Sequence, residues 1–415
     1  MSTGVQEGIY FDKGAQPGRF FNLAFLRASP ECTAATVRAI VGQLWAALQG
    51  LKRGEVIALP GRPVPVADHR LSVLVGYGVK AFSLAGVVRA APAGLGPEFH
   101  FRSALPAGGG ALLRGSGLSY AADIKQNPGT EEIVLQFIAD SQLAVHRCVV
   151  ETWKILHAHT DAGTGSAPLN LAAVFSGFQR DDGRSWIDFH DGVSNLISGD
   201  ERRGVLAVKA ENAPEPADAW TGDGSYLAFL RLAVDLAAWQ RLSRTEQELL
   251  VGRDKLTGCP LVGRDRRGRP VPAPGCPVTG TDQVIQRGNE RFREPRRPDD
   301  PVLRRSHVQR SNQHVTPPEQ PNSLRIYRQG YEFLEASPEA GGFRAGLNFV
   351  SFQDTPERLL RILVQDGWLG RTNFGGDPAA PAPGLAALLS VRAAGIYLAP
   401  PATDGEVFPG AAIFG

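Results

Sequence analysis

Two stretches decide how this chain folds: residues 131–150, EEIVLQFIADSQLAVHRCVV, and residues 346–364, GLNFVSFQDTPERLLRILV. Each runs from a β-rich apolar segment, through an aspartate, into residues whose apolar side chains recur at helical spacing. One strand-to-helix unit occurring twice, far apart in the chain, points to a duplicated fold.

Working outward, residues 19–28 read as a strand and 31–51 as a helix, and 71–79 and 131–139 are β-rich. Residues 141–157 are helical and 169–178 form a last strand, which gives the order β-α-β-β-α-β. The second half repeats it with strand 225–236, helix 237–252, strands 323–333 and 346–353, helix 355–367 and strand 395–401. Thr355 is placed to cap the last helix, with Pro356 at its first position. This order is the ferredoxin-like motif, so the expected class is α+β: two ferredoxin-like domains with antiparallel sheets, residues 1–180 and 181–415. Three segments fall outside the repeat, at 80–128, 179–224 and 253–322. Insertions of this kind are where a scaffold builds its sites.

The 415 residues are 43% apolar and 21% charged, the balance of a globular protein. With 44 basic against 42 acidic side chains, the net charge of +2 creates no field that would make nucleic acid the main partner. No apolar run approaches the roughly 20 residues of a membrane helix. The first 21 residues contain neither a basic n-region nor an apolar core, so a cytoplasmic protein is expected. Cys32, Cys148, Cys259 and Cys276 form no CxxC, which excludes a zinc knuckle and a dense disulfide framework. They read as structural or unpaired thiols.

Three places could carry chemistry. Asp188, His190 and Asp191 crowd the segment DFHDG; it reads as an Asp-Gly turn or as metal ligands. His307 lies in the basic stretch RRSHVQRSNQH, either as a polar loop residue or as an axial haem ligand. Arg328 interrupts an apolar strand, where a charge normally takes the solvent face.

Taken together, these segments resemble the dye-decolorising peroxidases. The family's GxxDG motif is similar to DFHDGVSN (188–195), with Asp188 in place of the first glycine. DGSYLAFLRLAVDLAAWQ (223–240) and GRDKLTGCPL (252–261) resemble two further blocks. SHVQRSNQH (306–314) resembles the proximal-histidine block, with Gln309, Gln313 and His314 departing from it. IYRQGYEF (326–333) and GLNFVSFQ (346–353) look like the strands that follow. The resemblance implies haem b held mainly by the C-terminal half, His307 as the iron ligand, and Asp191 and Arg328 as the acid and arginine facing peroxide. It offers Arg310 and Arg304 as cofactor contacts, Phe or Leu side chains of 346–353 as lining, and Glu357 or Asp366 as the carboxylate behind His307. Trp186, Tyr327 and Trp368 are either relays for electrons or core aromatics.

The implied activity is reduction of hydrogen peroxide with one-electron oxidation of dyes, phenols or other organic reductants. Those small molecules are the expected partners, with neither nucleic acid nor membrane, and self-association into a homo-oligomer is allowed. A haem-handling, iron-releasing protein is the alternative, and a scaffold without cofactor a third reading.

Overall fold

The first strand of each half is flanked on both sides by later strands of the same half, so the chain returns twice to build around it. The computed structural model describes residues 3–9, 18–61, 69–95, 131–193, 195–196, 199–209, 216–278, 300–311, 325–337, 341–363 and 388–415. After a short strand β1 (Thr3–Gly4), the N-terminal half runs β2 (Phe20–Ala28), α1 (Ala34–Lys52), β3 (Ser72–Tyr77), β4 (Ile133–Ala139), α2 (Gln142–Ala158) and β5 (Leu169–Phe178). Helix α3 (Gly199–Leu206) leads into β6 (Ser225–Val234), α4 (Leu236–Gln240), α5 (Arg244–Val251), the hairpin β7 (Leu261–Arg264) and β8 (Pro270–Pro272), and α6 (His307–Ser311). The chain closes with β9 (Tyr327–Ala336), β10 (Phe343–Gln353), α7 (Glu357–Leu363), β11 (Leu389–Ala399) and β12 (Ala402–Thr403), which pairs with β1.

The strand orders β3-β4-β2-β5 and β9-β10-β6-β11 are the same permutation of first to fourth strands, and every pairing is antiparallel. This is the ferredoxin-like arrangement expected from the repeat. The two sheets do more than pack together. Leu398 pairs with Tyr77 and Phe178 with Glu332, which joins the sheets edge to edge into one closed eight-stranded barrel.

Alternation along the strands sorts the side chains into layers. Phe21, Phe25, Phe229, Tyr331, Phe352 and Tyr397 fill the barrel. On the outer face of the first sheet, Val73, Val75, Tyr77, Leu135 and Phe137 meet Val37, Ile40, Val41, Leu44 and Leu48 of α1. These α1 positions repeat at three and four residues, and Thr33 caps the helix by accepting the Thr36 N–H at 3.3 Å. On the second sheet, among the described residues, Leu359, Ile362 and Leu363 of α7 pack on the outer face.

The helix expected over 237–252 is two helices. Ser243 starts the second with a reciprocal capping box: its Oγ accepts the Glu246 N–H, and Glu246 Oε2 accepts the Ser243 N–H at 2.7 Å. Thr355 caps α7 as expected, its Oγ1 accepting the Glu357 N–H at 3.4 Å. The inserted segment is partly built: β7 and β8 pair, Arg264 bonds Asp300 at 2.6 Å, and a disulfide joins Cys259 to Cys276. Cys32 and Cys148 are buried free thiols.

Candidate active site

Along β9, Tyr327 and Tyr331 point into the barrel, so Arg328, Gly330 and Glu332 take the outer face. There Arg328 and Glu332 line a cavity of about 250 Å³. Its apolar walls come from β6 (Leu230, Leu232, Val234), β10 (Leu347, Phe349) and α7 (Leu359, Ile362, Leu363). Of the strand 346–353, therefore, Leu347 and Phe349 are the lining side chains, while Val350 and Phe352 belong to the barrel core.

Asp191 reaches this cavity from a tight loop. Its N–H donates to Gly183 O at 2.9 Å, and the Ser185 N–H to Phe189 O at 2.9 Å, so the loop closes on itself like a small hairpin. Asp188 sits at its tip with φ of 65°, the left-handed conformation for which glycine is the usual choice. Aspartate is among the few other residues that tolerate it. Its carboxylate lies 3.7 Å from Lys255 Nζ, and Arg184 donates to the carbonyls of Asp188, Lys255 and Leu256. Aspartate thus takes up the conformation the glycine would have, and the loop is tied to the 253–258 turn by Lys255 and by its own Arg184.

The approach of Asp191 to β9 depends on Gly330. A Cβ there would stand 3.2 Å from Asp191 Oδ2 and 3.3 Å from Leu347 Cδ1, tighter than ordinary van der Waals contact. Arg328 is held from the same loop: its guanidinium donates to Val193 O at 2.9 Å. The Asn195 side chain takes the place of a neighbouring strand, accepting the Arg328 N–H at 3.1 Å and donating to Arg328 O at 2.8 Å.

His307 opens α6, and Ser306 precedes it. Gly252, which ends α5 with φ of 87°, lies so near Ser306 that an added Cβ would be 2.5 Å from Ser306 Oγ. Leu303 packs with Leu249 of α5 and Leu261 of β7, so the His307 segment is docked onto the helix and hairpin of the insertion. His307, Val308 and Ser311 line the cavity together with Arg253 and Arg325.

Protein encloses His307, and the part of it that remains accessible faces the cavity. Burial, followed by the nearby charges of Arg328 and Arg253, lowers its pKa to about 4 against the opposing pull of Asp191. At neutral pH it is therefore a neutral imidazole, the form that can donate a lone pair to a metal. Burial and Arg328 also work against the charge of Arg253, which remains a cation at neutral pH. Glu332 moves the other way: burial first, then the charge of Asp191, raises its carboxyl to about 9, and Arg180 opposes them.

The structure therefore brings Asp191, His307 and Arg328 to one cavity. Arg310 and Glu357 are not among the residues that line it. Arg304 is exposed. Asp366 and Trp368 lie outside the described residues. Trp186 lines the cavity and donates from Nε1 to Phe333 O at 2.9 Å, whereas Tyr327 is a core aromatic with Arg202 over its ring. Among the described residues no group of three or more His, Cys, Asp or Glu could hold a bare metal ion, so the metal reading of DFHDG has no partner set. Sequence reading missed Arg253, Glu332 and Asn195. All three stood inside quoted motifs, but nothing in their spacing indicated which way they faced.

The family model for the C-terminal part of Dyp-type peroxidases matches residues 182–404, over half of the chain. Over 149 residues the chain is 29% identical to the dye-decolorizing peroxidase of Thermobifida fusca, covering 36% of this chain and 29% of that protein. Over 174 residues it is 28% identical to the deferrochelatase of Escherichia coli K12, covering 41% and 35% respectively. The alignments thus span only about a third of the length of these curated relatives. Among solved structures, ferric DtpA from Streptomyces lividans superposes with a TM-score of 0.66 at 20% identity, covering 99% of this chain and 95% of that one. A DyP-type peroxidase from Cellulomonas bogoriensis gives 0.65 at 19% identity, covering 99% and 96%. A DypB variant from Rhodococcus jostii in complex with heme gives 0.56 at 16% identity, covering 96% of each chain.

Proposed function

From the premise that the chain belongs to the Dyp-type peroxidase family, we propose that it is a haem-dependent peroxidase that reduces hydrogen peroxide and oxidises dyes, phenols or other organic reductants one electron at a time. The observation that carries this reading is the placing of Asp191 over Gly330, with Arg328 on the same face of β9, in the same cavity as His307. The cavity suits haem b: apolar walls accept a flat macrocycle, and Arg253 and Arg325 offer cationic charge for its carboxylates. Neutral His307 is the residue that would hold the iron. The division at residue 180, with the cofactor site in 181–415, belongs to the same reading.

Haem supplies the iron at which peroxide is cleaved. Asp191 takes a proton from one peroxide oxygen and returns it to the other, so that water departs rather than hydroxide. Arg328, permanently cationic, stabilises the negative charge that grows on the departing oxygen. Val193 O and the Asn195 side chain hold Arg328 to that position, and the apolar walls keep bulk water away from it.

The likeness to deferrochelatases favours a second reading, release of iron from haem. An acid paired with an arginine has no evident use in that role. The test is the absorption spectrum of the protein loaded with haemin, before and after one equivalent of peroxide. A Soret band that shifts rapidly, and does so far more slowly in Asp191→Asn, supports the peroxidase. A band that only bleaches, with iron liberated, supports iron release, and absence of a band removes both.

Cytoplasmic placement is carried within this proposal. Among the described residues no helix is long and apolar enough to cross a membrane. The Cys259–Cys276 disulfide weighs the other way, because such bonds persist mainly in oxidising compartments.

A further inference from the structure

Reduction of hydrogen peroxide to two waters consumes two electrons and two protons: H2O2 + 2 H⁺ + 2 e⁻ gives 2 H2O. Organic reductants supply the electrons. Asp191 moves a proton between the two oxygens of one peroxide and so adds none of its own. Two protons must reach the site in each turnover.

We propose that Glu332 supplies protons to Asp191, a positioning residue that acts through Asp191 rather than on peroxide; the inference rests on the peroxidase reading above. Three observations carry it. Arg328 and Glu332 lie on either side of Gly330 on one face of β9, and the missing side chain between them is what lets the Asp191 carboxylate approach the strand. Asp191 is thereby flanked by a cation and a second carboxyl. Glu332 is also tied to the loop that carries Asp191: it accepts the backbone N–H of Trp186, and the Trp186 ring N–H donates to the neighbouring Phe333 O at 2.9 Å. Finally, charged groups near it reach the surface. Arg180 and Asp182, paired at 2.5 Å, both act on Glu332, and the Asp182 side chain is 46% exposed.

The charged groups acting on Glu332 are Asp191 and Asp182 from the loop and Arg180 beyond β5. Arg328 lies on its own strand, and His190 and His307 line the same cavity. Burial and the two aspartates favour its neutral form, so at neutral pH it holds a proton to give. Once the first water has departed, the oxygen that remains needs two protons, with the two electrons of the organic reductants, to become the second water. Each proton passes from Glu332 to the Asp191 carboxylate and from there to that oxygen, and the Glu332 carboxylate left behind is reprotonated from solvent at the Arg180–Asp182 rim. Two protons enter, the second water forms, and both carboxyls return to their starting states.

Glu332→Gln keeps the shape and can still accept the Trp186 N–H, but has no proton to pass on. Peroxide consumption by the haemin-loaded variant should fall by about tenfold or more, and the alkaline limb near pH 9 should disappear from its profile, with an unchanged haem spectrum. Glu332→Asp should restore part of both. Independently of turnover, the cofactor-free wild-type protein should show the infrared carbonyl band of a protonated carboxyl that titrates away near pH 9 and is missing from Glu332→Gln. A variant whose rate and profile match wild type overturns the role of Glu332 alone, as does absence of the band. A wild-type protein that binds haemin but consumes no peroxide overturns the functional reading, and the proton-supply role with it.

Discussion

The two outer faces of the barrel begin from the same topology and end in opposite uses. In the first half, Val73, Val75 and Tyr77 of β3 lie opposite Phe137, Leu135 and Ile133 of β4. In the second, Arg328, Gly330 and Glu332 of β9 lie opposite Ser351, Phe349 and Leu347 of β10. Since Asp140 and Asp354 follow β4 and β10 at the same place in the repeat, the residues correspond pair by pair. Val73 has become arginine, Val75 glycine and Tyr77 glutamate. The covering helices differ as well: α1, of 19 residues, answers to the broken pair α4 and α5, of 5 and 8. A sheet face sealed by long helices can only be core. Shorten the helices and the same face becomes the floor of a cavity, where charged side chains find partners.

The comparison breaks most sharply at its charged end. Arg328→Leu, which moves β9 toward the apolar character of β3, should lower the peroxide reaction of the haemin-loaded protein by about 10²- to 10⁴-fold, with little loss of thermal stability. Leu44→Ala, in the sealed face, should do the reverse. It empties a position that is 1% exposed, at a cost of about 2–5 kcal/mol in unfolding free energy, and the folded fraction should react with peroxide at the wild-type rate. Stopped-flow kinetics and denaturant titration on both variants check the pair, and an Arg328→Leu protein with unimpaired kinetics would mean that the second face is merely a weaker core.

Much of this was legible from local pattern. The strands alternate, the helices show their apolar stripe, and Thr33, Thr355 and the Ser243–Glu246 box are capping signals that sequence carries openly. The break at Ser243 went unread because apolar residues continue across it. Closure of the barrel was not legible, since it rests on edge pairings such as Leu398 with Tyr77, distant in the chain and without a sequence signature. Asp191, His307 and Arg328 were found through family motifs. Glu332 was not, because a glutamate on a strand reads as solvent-facing until the loop that covers it is placed. The Cys259–Cys276 bond likewise depends on how the insertion folds back.

Gly330 sharpens the comparison with a single methyl group. Gly330→Ala places a Cβ 3.2 Å from Asp191 Oδ2, so the carboxylate must withdraw from the strand by a few tenths of an ångström. Such displacements near the reacting atoms should cost about tenfold in the peroxide reaction, and haemin affinity should change little. Val75, the corresponding residue, already carries a side chain at this place, and Val75→Ala should lower stability without altering peroxide kinetics.

The subtlest difference between the faces is their response to pH. The Glu332 carboxyl is raised from 4.5 to about 9 in the folded protein, so its contribution is fully present below pH 4.5 and is lost as pH climbs toward 9. In that window the folded state holds a proton that the unfolded state has released, and stability falls by up to about 1.4 kcal/mol per pH unit. Denaturant titrations of the cofactor-free protein between pH 5 and 9 should show this decline, and Glu332→Gln should flatten it. Tyr77, the residue at the same place on the sealed face, is held further toward its neutral form by burial, so Tyr77→Phe should leave the slope over this range untouched. Equal slopes in wild type and Glu332→Gln would mean that Glu332 titrates as an ordinary surface acid, and that the second face is open to water where the first is not.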